Sequence, residues 1–185
     1  MEKHIELLKK QLETTREQFW NVDPNAGQLI QALIYSHQPK HILEIGTSNG
    51  YSAIIMAEIA SQYGGHVTTI EYFEKRISLA QENIRQAGLT DSITILQGNA
   101  VEVLTSFVDE NKKFDFFFLD ANKKQYAEYF INCMQLVNPQ AIITADNTIS
   151  HRNQLNEFFE VIYKEKRAHI LELSIGMGLV VITIE

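Results

Sequence analysis

Short apolar runs alternate with amphipathic segments along the chain from residue 41 onward. The apolar runs predict strands near 41–45, 66–70, 93–97, 114–119, 140–145, 168–173 and 178–184. The amphipathic segments predict helices near 51–62, 73–87, 100–110, 123–136 and 151–164. Such alternation with short connections gives parallel strands covered on both faces. The sequence therefore predicts an α/β fold with a doubly wound, Rossmann-like seven-stranded sheet and helices on both faces.

The last two predicted strands depart from the parallel pattern. They are joined only by a short turn near Gly176, which is too tight for a parallel crossover. The last strand is therefore predicted to run antiparallel to its predecessor in a mostly parallel sheet. Pro24 after Asp23 predicts a helix start, and Gly88 predicts a helix end. At 185 residues the chain is predicted to form one domain, with N-terminal helices over 1–38 and the sheet core over 39–185.

Composition narrows the class of protein. The net charge of −7 argues against non-specific wrapping of nucleic acid, which depends on many Lys and Arg contacts. Cys133 is the single cysteine, so no internal disulfide is expected and a reducing, cytoplasmic setting fits. Charges throughout residues 1–19 argue against a signal peptide, and no stretch reaches about 18 uninterrupted apolar residues. No association with a membrane is expected.

The segment 41–52 predicts a ligand site where a buried strand turns into a helix. Gly46 and Gly50 let the backbone approach a ligand, and the new helix offers free N–H groups. The spacing misses both the Walker loop and the dinucleotide fingerprint. Glu44, just before the turn, would repel a pyrophosphate but suits a cationic or amino-bearing ligand.

A second acid, Glu71, closes the next predicted strand and is placed to hold a ribose diol. Together with Glu44 and the glycine turn, it indicates S-adenosylmethionine, a nucleoside without phosphates. The alternative is an ordinary α/β turn with acids at the strand ends.

Oxygen-bearing side chains follow two further strands. Asp120 closes the fourth strand, and Asp146 and Asn147 close the fifth. Two carboxylates and an amide oxygen at neighbouring strand ends suit Mg²⁺, with Ca²⁺ or Mn²⁺ as alternatives, rather than zinc. The other interpretation is that Asp146 and Asn147 cap the next helix.

Over residues 20–185 the sequence resembles the cation-dependent O-methyltransferases, the group that includes catechol and caffeoyl-coenzyme A O-methyltransferases. The motifs that carry the resemblance are Asp23-Pro24-Asn25-Ala26-Gly27-Gln28, Glu44-Ile45-Gly46-Thr47 with Gly50-Tyr51-Ser52, Asp120-Ala121-Asn122-Lys123 with Tyr126, Asp146-Asn147, and Ile175-Gly176-Met177-Gly178-Leu179.

The resemblance implies roles for individual residues. The implied metal ligands are Asp120, Asp146 and Asn147, and the implied catalytic base is Lys123. The implied contacts to S-adenosylmethionine are Val22, Glu44, Gly46, Thr47 and Ser52 for the methionine part, Glu71 for the ribose, Ala100 for the adenine, and Asp120 with Asn122. His151 corresponds to a substrate-facing position. Lys123 could instead be a solvent-exposed lysine at a helix start, and His151 a cap or surface residue.

Departures from the family pattern leave the methyl acceptor open. Asn99 and Asn122 stand where aspartates are usual, and Met177 stands where an aspartate is common. The chain also lacks an insertion after Asn147 that relatives often place over the acceptor, so a more open pocket is expected. The resemblance implies methyl transfer to a small catechol-like or hydroxylated aromatic acceptor, and it is compatible with a homodimer. The alternatives are a tRNA 5-hydroxyuridine O-methyltransferase and a non-catalytic S-adenosylmethionine-binding module.

Overall fold

The computed structural model describes residues 2–185, and the side chains of residues 5, 6 and 8–185. Seven strands form one sheet: β1 (His41–Ile45), β2 (His66–Glu71), β3 (Ile93–Gln97), β4 (Phe114–Leu119), β5 (Val137–Asp146), β6 (Ala168–Leu173) and β7 (Leu179–Ile184). The α-helices are α1 (Glu2–Glu13), α2 (Arg16–Phe19), α3 (Pro24–His37), α4 (Tyr51–Ala60), α5 (Glu74–Ala87), α6 (Ala100–Asp109), α7 (Tyr126–Leu136) and α8 (Asn156–Lys164).

The strand order is β3-β2-β1-β4-β5-β7-β6. The first five strands pair in parallel, and β7 lies between β5 and β6 and pairs antiparallel with both. The predicted doubly wound sheet with an antiparallel last strand is confirmed. Its order reverses between β1 and β4, and ligands bind at such a reversal, beyond the carboxyl ends of the strands.

Two hydrophobic layers cover the two faces of the sheet. Alternate residues of β4 show the division, because successive side chains of a strand point to opposite faces. Phe116 and Phe118 belong to the layer that includes α1, α3, α4 and α5. Phe117 and Leu119 belong to the layer that includes α6, α7 and α8. The buried residues 116–119 of β4 therefore contribute side chains to both hydrophobic layers.

The predicted helix ends are confirmed at two positions. Asp23 Oδ1 accepts a hydrogen bond of 2.9 Å from the backbone N–H of Asn25, with Pro24 in the first turn of α3. Gly88 ends α5 in the left-handed conformation, at φ 70°.

Three element bounds differ from the prediction by three residues or more. β5 begins at Val137 rather than near residue 140, because Val137 pairs with Phe114 across a bulge that contains Pro139 and Gln140. The helices predicted to start near residues 123 and 151 begin instead with 3₁₀ turns, and α7 and α8 start later. No helix among residues 2–185 is long and apolar enough to cross a membrane.

Candidate active site

One large cavity lies at the carboxyl ends of β1, β2 and β4, closed on another side by residues 13–23. Its volume of about 1310 Å³ exceeds the roughly 300–1,000 Å³ of most small-molecule pockets, so two small ligands fit together. The predicted site residues that line it are Val22, Gly46, Thr47, Ser52, Glu71, Ala100, Asp120, Asn122, Lys123, Asn147 and His151. Glu44 and Asp146 lie behind the cavity wall, fully or almost fully buried.

The glycine turn is shaped by its protein neighbours. At Gly46, with φ 107°, a Cβ atom would lie 2.2 Å from the backbone oxygen of Asp120. At Gly50, with φ 85°, it would lie 3.2 Å from Ala80 Cβ on α5. The sequence predicts a close ligand at both glycines. The positive φ angles, and at Gly46 also the approach of the Asp120 backbone, already favour glycine at both positions without a ligand.

Glu44 is a buried acid beneath the turn. Its Oε2 atom accepts a hydrogen bond of 2.5 Å from the Thr69 hydroxyl, and Thr69 in turn lies 2.6 Å from the Thr47 hydroxyl. Its Oε1 atom has no hydrogen-bond partner among the described residues. Burial raises the pKa of Glu44 to about 8, although the hydroxyls of Ser52 and Thr69 favour the ionised form. An ammonium group bound at the turn would favour the ionised form of Glu44.

Glu44→Gln should flatten the pH dependence of stability. Between the ordinary pKa of 4.5 and the native pKa of about 8, the native state holds a proton that the unfolded chain has released. The unfolding free energy of the wild type should therefore fall by a few kcal/mol from pH 5 to pH 8, with about 1.4 kcal/mol per pKa unit. Urea unfolding at several pH values measures how steeply the unfolding free energy depends on pH in the wild type and in Glu44→Gln. Glu157→Gln on an exposed helix position is the control, and parallel curves for wild type and Glu44→Gln would contradict the prediction.

Glu71 is held by three backbone amides. Its Oε2 atom accepts from the Ser48 N–H, and its Oε1 atom accepts from the N–H groups of Tyr72 and Phe73, each at 2.9 Å. These bonds fix the carboxylate at the cavity wall, where each oxygen still has an acceptor site for a ligand hydroxyl. The predicted role in ribose binding is compatible with this geometry.

Glu71→Gln should weaken cofactor binding by about 10- to 100-fold, since hydrogen bonds to charged groups contribute about 1.5–3 kcal/mol. The amide keeps the shape of the side chain but removes its charge. Calorimetric titration with S-adenosylhomocysteine and with adenosine should show a similar loss for both ligands. Glu74→Gln, three residues further on, should bind as the wild type does. Unchanged affinity of Glu71→Gln would remove the ribose assignment.

Lys123 forms the centre of a polar cluster at the end of β4. Its Nζ atom donates to Asp120 Oδ1 at 2.7 Å and to the Tyr126 hydroxyl at 2.8 Å. The hydroxyl of Tyr126 is fully buried and donates to the backbone oxygen of Leu119 at 2.9 Å. Burial raises the pKa of Tyr126, so its hydroxyl keeps its proton and must accept from Lys123. The side chain of Lys123 is only 11% exposed, which disfavours the alternative of a solvent-exposed lysine.

Asp146 and Asn147 lie beside this cluster at the end of β5. Burial, and next the charge of Asp120, raise the pKa of Asp146 above its usual range. Its Oδ1 atom has no hydrogen-bond partner among the described residues, and its Oδ2 atom accepts from the Asn147 amide at 3.2 Å. A cation between two such carboxylates would satisfy the unpaired oxygen and offset their repulsion. The donor set therefore fits a divalent cation.

The predicted ligand set is small. Among the described side chains, those of residues 5, 6 and 8–185, no three from His, Cys, Asp or Glu come together as a metal cluster. The predicted set contains only two carboxylates, from Asp120 and Asp146, and its third member is the amide of Asn147. A cation here would take its remaining ligands from water and the acceptor, as is usual for Mg²⁺.

Two predicted contact residues also have local structural roles. Asn122 caps the 3₁₀ turn, since its Oδ1 atom accepts from the Lys124 N–H at 3.3 Å. His151 lies at the cavity wall, at the start of a 3₁₀ turn, with its Nδ1 atom 2.9 Å from the Ser150 hydroxyl; its side chain makes no capping hydrogen bond to that turn.

Sequence reasoning missed one wall of the cavity. Residues from two segments form it, and they include Arg16, Trp20, Tyr72, Phe73 and Arg76. The available signal was the pair of large aromatic residues directly after Glu71, at a strand end where binding residues are expected.

Comparison with known proteins agrees with this architecture. A family model described as O-methyltransferase matches residues 2–183. The chain belongs to this family. A catechol O-methyltransferase from Niastella koreensis is 42% identical to this O-methyltransferase family member over 138 residues, which is 74% of the chain and 62% of that relative. Tapetum-specific methyltransferase 1 from Arabidopsis thaliana is 28% identical over 94% of the chain and 84% of its own length.

A solved O-methyltransferase structure shares the fold of this chain over nearly its whole length. The O-methyltransferase from Bacillus cereus, in complex with S-adenosylhomocysteine, superposes with a TM-score of 0.86 at 28% identity. The match covers 99% of this chain and 91% of that one. The chain spans less than two thirds of the length of the Niastella relative.

Proposed function

We propose that the protein transfers the methyl group of S-adenosylmethionine to a hydroxyl of a catechol-like or hydroxylated aromatic acceptor, with the help of a divalent cation. One observation carries the proposal. Lys123 and Asp120 meet at 2.7 Å in a cavity wall, and their charges act on the buried carboxyl of Asp146, whose Oδ1 atom has no hydrogen-bond partner among the described residues. The same cavity contains the glycine turn and Glu71, which are expected to bind the cofactor.

The chemistry follows from these side chains. A divalent cation held by Asp120, Asp146 and Asn147 would lower the pKa of an acceptor hydroxyl and fix its position. In its uncharged amine form, Lys123 would accept the hydroxyl proton on the lone pair of Nζ and become an ammonium. The oxygen lone pair forms a bond to the methyl carbon, and the carbon–sulfur bond breaks with its electron pair on sulfur, leaving S-adenosylhomocysteine.

The protein contributes mainly by alignment. The turn at Gly46 and the amide-held carboxylate of Glu71 fix the cofactor, while the end of β5 fixes the acceptor. Holding two reactants in line can contribute about 7–11 kcal/mol of the barrier reduction. The cavity volume leaves room for an acceptor beside the cofactor, which supports a two-ligand enzyme over a module that only stores the nucleoside.

The acceptor class can be decided in one assay. Methyl transfer from labelled S-adenosylmethionine is measured to catechol-like compounds and to bulk tRNA, each with Mg²⁺ or with a chelator. The proposal expects transfer to catechols that needs the metal. Transfer to tRNA alone would favour a nucleoside acceptor. Cofactor binding without transfer under any condition would favour the binding module.

A further inference from the structure

Large aromatic side chains are exposed at one edge of the cavity. Trp20 is 73% exposed, and Tyr72 and Phe73 are more than half exposed, yet all three line the cavity. The guanidinium of Arg76 lies 6.0 Å from the ring centre of Trp20 and 5.5 Å from that of Phe73. We call Trp20, Tyr72, Phe73 and Arg76 the aromatic rim. Large apolar side chains grouped in water at a cavity mouth indicate a binding surface.

The backbone of Trp20 supports a role in binding. Trp20 adopts a left-handed conformation, with φ 54°, at the end of α2, where Gly or Asn is favoured. A bulky residue in this region is strained, and its ring gains little burial in return. The indole is therefore held at the cavity edge with most of its surface free to contact a ligand.

Hydrogen bonds fix the position of the rim relative to Glu71. The Ser48 hydroxyl donates to the backbone oxygen of Phe19 at 3.0 Å, next to Trp20. The Ser48 N–H donates to Glu71 Oε2 at 2.9 Å. Trp20 is therefore tied to the carboxylate that is expected to hold the ribose.

We propose that the aromatic rim covers the adenosine part of the cofactor, with the indole of Trp20 and the guanidinium of Arg76 in contact with the nucleoside. This inference rests on the proposed use of S-adenosylmethionine. Residues 98–100 at the start of α6 line the cavity together with the rim, so a purine between them would be enclosed.

Charge distribution favours the nucleoside over the methionine end. Arg76 forms none of the ion pairs found among the described residues, so its charge is not neutralised locally. The methionine part of S-adenosylmethionine carries a sulfonium, an ammonium and a carboxylate group, so its net charge is positive and a guanidinium would repel it overall. The adenosine part is uncharged, and its purine ring stacks well on a guanidinium or an indole.

Tryptophan fluorescence tests the contact directly, because Trp20 is the only tryptophan in the chain. The full-length protein is titrated with S-adenosylhomocysteine, adenosine and methionine, and calorimetry measures the same affinities independently. We expect S-adenosylhomocysteine and adenosine to change the emission saturably and to protect Trp20 from acrylamide quenching. Methionine should do neither.

Variants separate the rim from general effects on the fold. Trp20→Ala and Arg76→Gln should each weaken S-adenosylhomocysteine binding by about fivefold to tenfold, as expected for loss of a stacking contact. Trp20→Phe should retain most of the affinity. The controls are Tyr35→Ala, at an aromatic residue that is 65% exposed and lies outside the cavity, and Lys75→Gln beside Arg76, and both should bind normally.

The outcomes distinguish this inference from the proposed function. If calorimetry detects S-adenosylhomocysteine binding while the emission and quenching of Trp20 stay unchanged, the inference is overturned and the function stands. Wild-type affinity of both Trp20→Ala and Arg76→Gln overturns it as well. If S-adenosylhomocysteine does not bind to the wild type at all, the proposed function fails first, and the inference fails with it.

Discussion

The Asp146→Asn variant is expected to lose metal-stimulated methyl transfer by roughly 100-fold or more, while its affinity for S-adenosylhomocysteine stays within about threefold of the wild type. Asp146 supplies one of only two carboxylates in the predicted metal site, and its Oδ1 atom is the unpaired oxygen at the end of β5. Asparagine preserves the volume but removes the charge that holds the cation. The residue lies behind the cavity wall, so cofactor contacts should persist.

Initial rates over a range of Mg²⁺ concentrations, together with calorimetry, measure the two effects separately. Asp91→Asn, at an exposed position outside the cavity, is the matched control. Equal activity of the wild type with metal and with chelator would contradict the metal site, since Asp146 would then have no cation to hold. A parallel loss of cofactor affinity in the variant would instead assign Asp146 to cofactor binding.

The same substitution should not weaken the metal-free protein. Burial and the charge of Asp120 raise the pKa of Asp146 to about 7, whereas the unfolded chain ionises near 3.8. The native state therefore loses stability as the pH rises from about 4 through 7, and the ionised carboxyl is a cost at pH 8. Asparagine removes that cost. An inactive variant that resists urea at least as well as the wild type at pH 8 would indicate a carboxyl kept for function.

The fold was predictable because each local pattern agreed with the global one. Phe116-Phe117-Phe118-Leu119 is apolar at every position, as expected for a strand covered on both faces. The short turn at Gly176 required an antiparallel pair, and β7 indeed pairs antiparallel with β6. The place of β7 between β5 and β6 could not be predicted, since neighbouring order depends on packing between distant segments. The start of β5 was misjudged because the bulge around Pro139 keeps the strand pairing where the apolar pattern stops.

The position of the site in the fold was predictable from the sequence, but the burial of its side chains was not. Strand ends gave the location of Asp120 and Asn147, since the carboxyl ends of parallel strands share one edge of a sheet. The same reasoning could not tell that Glu44 and Asp146 are covered by neighbouring residues. The sequence also did not predict that Trp20 lines the cavity, because residues 13–23 reach the cavity only through tertiary contacts. The individual ligand roles remain predictions.

Lys123→Met is expected to reduce kcat by about 10²- to 10⁴-fold, the usual contribution of a general base, with cofactor affinity nearly unchanged. The methionine side chain can keep an apolar contact with the ring of Tyr126, whose centre lies 4.9 Å from Nζ of the lysine. It removes the amine that pairs with Asp120. Single-turnover methyl transfer and calorimetry measure the two quantities. Lys124→Met, at the neighbouring exposed lysine, is the control and should leave both unchanged.

Lys123→Arg decides between proton transfer and positioning. Arginine keeps a positive charge and can still donate to Asp120 and Tyr126, but it stays protonated and cannot accept a proton from the acceptor. If Lys123 is the base, the arginine variant should be about as slow as Lys123→Met. If the side chain only holds Asp120 and Tyr126 in place through its hydrogen bonds of 2.7 and 2.8 Å, arginine should restore much of the rate. A fast Lys123→Arg enzyme would therefore exclude Lys123 as the general base. The hydroxyl proton of the acceptor would then pass to water.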